Sequence, residues 1–305
     1  MYRNQNIGLL MMLGGVLFSI FFVYRFLPGD QVVDKAMFRV ADIASIDQVV
    51  LKSKSGTIDL SLVGSRWKAN GMPADADMIQ VLMATLAQAE PRRPVSKRIS
   101  DSTATALMSD GVRVSLYSAN KMIHSFYAGG NLQKTQACFM KQGESTPYVM
   151  VIPGYRVYVA GIFEVDEAGW LDRRIFNFNW RNFSSLNVSY PASADGYDVT
   201  FDGKIFSIAG IATDTARLNT FLDELSLLQA NRLVLNDALR DSLVNQRPEV
   251  TFQVKTLSGE VYSLSLFPTS GSGSVYGLTG SRPIAVFDQR AVLPIMKRRQ
   301  WFVLK

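Results

Sequence analysis

The sequence predicts an α+β fold: an N-terminal transmembrane helix followed by two similar lobes, each of antiparallel β-strands with a packed helix. Three observations predict it. Residues 7–24 run without a charge. The pattern of residues 49–86 recurs without a gap at 188–225, which marks an internal duplication. Hydrophobic residues make up 48% of the chain and charged residues only 19%, so the 305 residues belong with folded proteins and allow about two domains.

Residues 1–6 form a short polar leader and residues 7–27 the expected anchor. The apolar run of about 18 residues reaches ~27 Å as a helix, close to the thickness of a hydrocarbon core. Arg25 and the pair Pro28-Gly29 stop it. A cleaved signal peptide has a shorter apolar region and ends in small residues. Here the end is Phe21-Phe22-Val23-Tyr24-Arg25, so an uncleaved anchor is favoured. The balance of Arg3 against Arg25 and Lys35 decides little about orientation. A short leader, one span and a large folded region fit a single-pass inner-membrane protein with its C-terminal domain in the periplasm. Gly15 and Ser19 have the spacing of a helix-pairing motif, which is common by chance.

Residues 28–44 are read as a tether, 45–176 as the first repeat and 177–305 as the second. In the first, strands are expected at 49–53, 57–63 and 66–69, and Asp75 caps a helix whose Ile79, Leu82, Met83 and Leu86 form one apolar face. Residues 90–94 read as a linker. Strands follow at 112–118 and 121–128 across Ala119-Asn120, a hairpin turn, and then at 135–140 and 148–152. In the second repeat Leu60 falls on Val199, Gly64 on Gly203, Trp67 on Phe206, Gly71 on Gly210 and Asp75 on Asp214. Its helix carries Leu218, Phe221, Leu222 and Leu225, and a short helix is expected over 236–245. Strands at 250–256 and 260–267 echo the first hairpin, and 283–287 parallels 147–151.

Chemically active side chains are few. Cys138 is the one cysteine and His124 the one histidine, so no intrachain disulfide and no familiar zinc spacing can be built. Cys138 sits in a strand-like run and reads as buried and structural. His124 has no acid or serine placed to orient it. Asp75 and Asp77 at a helix start have the simpler role of capping. Asp172 with Arg173 or Arg174 reads as an ion pair pinning the two lobes, among Trp170, Phe176, Phe178 and Trp180. A carboxylate dyad of Asp166 or Glu167 with Asp172 is the residual catalytic arrangement. The Gly-rich run 269–274 lacks the Lys-Ser/Thr ending of a phosphate cradle and reads as a hairpin tip. The net charge of +6 is scattered except at Lys297-Arg298-Arg299, which reads as a solvated terminus, so no nucleic-acid partner is expected. No catalytic, cofactor-binding or metal-binding residue is assigned, and no cofactor is expected.

The anchor, the repeated strand–strand–strand–helix unit and the junction WLDRRIFNFNWRNFSSLNVSY at 170–190 together resemble a family of membrane-anchored proteins with an uncharacterised duplicated α+β domain. Its genes often lie beside auxiliary subunits of gliding-motility-type ABC transporters, in Bacteroidota and other bacteria. The likeness covers residues 46–305. It implies an extracytoplasmic accessory or scaffold protein of an envelope complex, with the bilayer held through residues 7–27 and an ABC transporter permease and auxiliary subunit as protein partners. The alternative readings are a periplasmic binding module for a polypeptide or glycan and, after it, an envelope hydrolase. Aromatic Tyr155, Tyr158 and Trp180 are candidates for an interface, and unpaired sheet edges for docking.

Overall fold

Alternating apolar residues on short strands, punctuated by glycine turns, build two antiparallel sheets with one helix against each face. The chain, described at residues 12–22, 33–268 and 273–304, is a computed structural model. Residues 12–22 form helix α1. In the first lobe, β1 (Gln48–Ser53), β2 (Gly56–Val63), β3 (Arg66–Ala69) and β4 (Met72–Pro73) lead into α2 (Ala76–Gln88). Then come β5 (Glu90–Pro94), α3 (Lys97–Asp110), β6 (Val112–Ser118), β7 (Lys121–Gly130), β8 (Ala137–Lys141) and β9 (Tyr148–Val151). The sheet order is β4-β3-β2-β1-β6-β7-β8-β9-β5.

The second lobe repeats this plan. It holds β10 (Phe183–Ser189), β11 (Tyr197–Phe201), β12 (Phe206–Ile208), α4 (Thr215–Ser226), β13 (Arg232–Val234) and α5 (Asp237–Val244). β14 (Val250–Thr256), β15 (Val261–Leu266), β16 (Ser274–Thr279) and β17 (Ile284–Asp288) complete it, in the order β12-β11-β10-β14-β15-β16-β17-β13. Strand for strand this is the first order without its two-residue β4.

The helix caps match as well. Asp75 accepts from the N–H groups of Asp77 and Met78, and Asp214 from that of Arg217. Gly71 and Gly210 both take a left-handed φ, +82° and +76°, at the turn between the third strand and the helix. One face of each sheet packs on its main helix: Leu60, Leu82, Phe126 and Phe139 are fully buried in the first core, Val199, Leu218, Phe221 and Phe252 in the second. Each such side chain contributes roughly 1.5–3 kcal/mol relative to exposure. The opposite faces carry smaller clusters, Leu107 of α3 with Met140 and Val149, and Leu243 of α5 with Phe267 and Ile284.

Each lobe is closed by a returning segment. The Asp75 N–H donates to the Trp170 carbonyl at 2.8 Å and the Asp172 N–H to that of Pro73 at 3.0 Å. In the second lobe Asp214 donates to Phe302 at 2.8 Å and Leu304 to Ala212 at 2.8 Å. Trp170 and Phe302 are therefore equivalent, and both side chains are fully buried. Beyond Asp172 the chain zips onto the second lobe, where Ala230 donates to Arg173 at 2.9 Å and Ile175 to Leu228 at 3.1 Å. Leu233 packs against both cores.

The structure corrects several readings. The gap-free alignment fails at the first strand. Val49 pairs with Leu60, but Val199, the equivalent of Leu60, pairs with Leu186 and not with Val188. A shift of two leaves the inside–outside alternation unchanged, so the pattern could not reveal the extra residues before β11. Residues 283–287 are one place out: Phe287 pairs with Val275, as Met150 pairs with Ala137. Residues 90–94 are an edge strand and not a linker, with Pro91 and Pro94 tolerated because one side is unpaired. Helix α3 was not expected, since only Ala104 and Leu107 of its Ser- and Thr-rich sequence are buried. The stretch read as a tether contributes Phe38, wedged edge-on between Phe126 and Phe139, to the first core.

Of the expected anchor, residues 7–11 and 23–27 lie outside the described residues. Among the described residues, no helix is long and apolar enough to cross a membrane. The Ser19 hydroxyl bonds back to the Gly15 carbonyl at 2.9 Å. Of the Gly-rich run, residues 269–272 also lie outside the described residues.

Candidate functional site

A cleft of about 1080 Å³ opens between the lobes, just above the usual range of small-molecule sites. β3 brings Arg66, Trp67 and Lys68 to it because Gly64, at φ +65°, turns the chain back from β2. Met72 follows, and the capped helix α2 adds Ile79 and Met83, spaced four residues apart on one face. Its floor is the connecting segment with Leu171, Ile175 and Phe176; the far wall comes from Val261, Tyr262 and Ser263 of β15 and from residues 279–283. The walls are thus largely apolar, with cations at Arg66, Lys68 and Arg174.

Asp172 is the carboxylate lining this cleft, and Arg174 holds it in a fork, with Nε 3.1 Å from each oxygen and Nη2 at 2.7 Å. Hydrogen bonding to Asp172 raises the Arg174 pKa, so Arg174 is a fixed cation. The Tyr262 hydroxyl donates to Glu260 at 3.0 Å. Burial first, then that carboxylate, raises its pKa, against the opposing pull of Asn177 and of Arg66 from the other lobe. Tyr262 therefore stays a neutral phenol facing the cleft.

At the equivalent surface of the second lobe, aromatic rings replace aliphatic neighbours, and Phe206 like Trp67 is half-buried. Phe206, the counterpart of Trp67, stacks on Phe201 at 4.6 Å and meets Phe183 edge-on at 5.3 Å. The first lobe has Leu62 and Ile46 at those places, aliphatic side chains that leave Trp67 half-buried against open space. The cleft is thus built on the Trp67 face of the first lobe and closed from the other side by the second. Sequence pairing of Trp67 with Phe206 contained this difference; the partners of Phe206 did not become visible until the sheets were registered.

The other singled-out residues lie elsewhere and apart. Asp75 caps α2 and its second oxygen sits 4.0 Å from Arg173 Nε, which ties the first lobe to the connecting segment, whereas the Asp172–Arg174 pair is local to that segment and does not itself pin the two lobes. Asp166 accepts from the Gly169 N–H at 2.9 Å and closes a turn, while Asp172 is held by Arg174. His124 is packed among Phe38 and Phe126, with Nε2 buried and without a hydrogen-bond partner among the described residues. Burial, then the Lys141 charge, lowers its pKa. Cys138 is buried beneath α3, and burial pushes its thiol up, which keeps it unreactive. Tyr158 donates to Glu164 at 2.5 Å, with Lys134 on the other oxygen at 3.0 Å, whereas Tyr155 and Trp180 are exposed.

The basic run is not a free patch. Lys297 lies 5.2 Å over the Trp301 ring, Arg298 pairs with Asp195 at 3.4 Å, and Arg299 donates to the Ala209 carbonyl at 2.8 Å. Among the described residues no cluster of three or more His, Cys, Asp or Glu could hold a metal ion.

Comparison with known families finds one match, described as Domain of unknown function (DUF4340), over residues 67–248. It runs from β3 of the first lobe to beyond α5 of the second, so the junction and the cleft floor fall inside it. No curated protein and no solved structure matches the chain.

Proposed function

This chain belongs to the DUF4340 family, a domain of unknown function, and from that premise we propose that it is an accessory or scaffold protein of an envelope complex. The reading places residues 7–27 in the inner membrane as a single-pass anchor and the two lobes in the periplasm. An ABC transporter permease and its auxiliary subunit are the partners that the family resemblance favours. The observation that carries the reading is the inter-lobe cleft: apolar walls, fixed cations, and a carboxylate already committed to Arg174. Such a surface suits holding a partner's side chains more than moving protons.

The sheet edges supply less. β5 is guarded by two prolines, β4 is bonded by the returning Asp172, and residues 303–304 bond to 212–213, the stretch that follows β12. Docking is therefore assigned to the cleft.

The test is affinity purification of the tagged full-length chain from gently solubilised native membranes, beside a Met83→Glu variant. Met83 is half-buried on the cleft wall, so a charge there spoils docking while leaving the core positions intact. Co-recovery of an ATPase and a polytopic permease in fixed ratio, reduced at least tenfold by the variant, supports the proposal. Recovery of the chain alone, with crosslinking in cells confirming that no partner is bound, sinks it and leaves the binding-module reading.

A further inference from the structure

The three cations that line the inter-lobe cleft are not equally compensated. Arg174 is held by the Asp172 carboxylate, and the charges of Asp75 and Asp77 act on it as well. Among the described residues, Arg66 and Lys68 form no ion pair with any carboxylate. Asp172 is the one acid of the lining, so three cations face a single carboxylate and the cleft carries a net charge of +2. Glu260 is engaged by the Tyr262 hydroxyl at 3.0 Å and is not part of the lining.

The fold does not require these two charges. Arg66 and Lys68 stand two apart on β3 and share the face opposite to Trp67 and the buried Ala69. The second lobe builds the equivalent strand with Ile205 and Ser207 at those positions, and Ser207 finds Thr200 across the ladder at 3.4 Å. Lys68 is half-buried, and an ammonium taken partly out of water without a counter-charge is unfavourable until one is supplied. Across the cleft, the Arg66 charge reaches Tyr262 of β15 and opposes the rise in its pKa. The remaining walls are apolar, with Trp67, Ile79 and Met83 on one side and Val261 on the other.

We infer that the segment held in this cleft is acidic as well as apolar: a stretch of partner polypeptide whose carboxylates meet Arg66 and Lys68 while its apolar side chains lie against Trp67, Ile79 and Met83. The inference rests on the docking role proposed for the cleft and adds the chemistry of what docks. Complementary charge steers the approach of an acidic segment and turns away a basic one. Arg66 is exposed and Lys68 half-buried, so salt screens this attraction and leaves the apolar contacts in place.

Fluorescence anisotropy of labelled peptides against the purified full-length chain tests this, with leucine and glutamate alternating in one peptide and leucine and lysine in the other. Saturable binding of the acidic peptide is expected, about tenfold tighter than that of the basic one and weaker as salt rises. Arg66→Glu with Lys68→Glu reverses the preference, and Arg66→Gln with Lys68→Gln, which removes charge without adding repulsion, abolishes it. No binding of either peptide, equal binding of both, or a preference that survives both double variants overturns the inference. Displacement of the acidic peptide by an equal concentration of dodecanoate also overturns it and assigns the cleft to an acyl anion. The docking role fails separately, in the affinity purification. An ATPase and permease recovered as fully with the charge-reversed chain as with the unaltered one, but lost with Met83→Glu, keep that role and overturn the acidic class. Recovery of no partner beside an intact peptide preference removes the role and leaves the acidic-segment chemistry to a binding module.

Discussion

Replacing Phe302 by alanine tests whether each lobe is closed by its own returning segment. The Phe302 ring is fully buried and meets Tyr197, Phe221 and Trp301 edge-on at 5.0, 5.2 and 5.0 Å. Deleting a buried phenylalanine costs about 3–5 kcal/mol, from lost burial plus the cavity left behind. Three edge contacts at roughly 0.5–1.5 kcal/mol each put this site in the upper part of that range. For a unit of a hundred-odd residues, ~4 °C per kcal/mol converts about 4–5 kcal/mol to a fall of about 16–20 °C in melting temperature. The location of the damage is the sharper readout. Leu233 is the residue packed against both cores, so amide hydrogen exchange should rise across β10 to β17 and stay near its original level across β1 to β9. Trp170→Ala, at the equivalent position, should give the mirror pattern. Equal loss of protection in both sheets from either substitution would refute the argument that the lobes are separately closed.

Two further outcomes follow from the cores and turns. His124 is the only histidine, and burial lowers its pKa, so the unfolded chain takes up its proton more readily than the folded one. Its contribution is fully present above about pH 6.5 and is lost as pH falls from there through the lowered folded value. The single histidine ring signal in proton NMR should titrate below about 6.5, and a midpoint at or above that value contradicts the packing described. Gly71→Ala and Gly210→Ala each place a side chain in a left-handed turn, at roughly 1–2 kcal/mol. The second also displaces Arg299 from its bond to Ala209, so urea denaturation should find it costlier by about 0.5–1.5 kcal/mol; equal losses would remove Arg299 from the account.

The duplication was legible because it rests on local signals: glycines forced to positive φ at 64, 71, 203 and 210, caps at Asp75 and Asp214, and helical spacing of apolar residues. What escaped was non-local. Strand alternation has a period of two, so the two-residue offset at β10 left the same residues facing inward. Prolines at 91 and 94 argued against a strand, and only pairing with β9 shows that their free side faces away from the ladder. Helix α3 covers a sheet with two buried residues, too few to set a period. The equivalence of Trp170 and Phe302 depends on chain return over distances that no spacing rule reaches. The cleft needed both lobes at once, since its walls come from residues 66–83 and 261–283. Cys138 and Asp75 fell where their residue types pointed, while Asp172 and Arg174 pair within the connecting segment and not from lobe to lobe.

The two lobes protect their last strands by different means. β5 carries its own prolines at the open side, together with a register shift between Pro91 and Arg93. β13 has no proline, and its Arg232-Leu233-Val234 edge instead shelters beside Ala168–Trp170 of the first lobe, with Leu233 shared between the cores. The halves of the molecule are therefore not interchangeable as free fragments. A first lobe cut loose keeps a blunted edge, whereas a second lobe cut loose bares a short apolar strand to any neighbour. The junction acts as a cover for a surface prone to self-association, so a nick or hinge there carries a risk of aggregation before it alters any contact in the cleft.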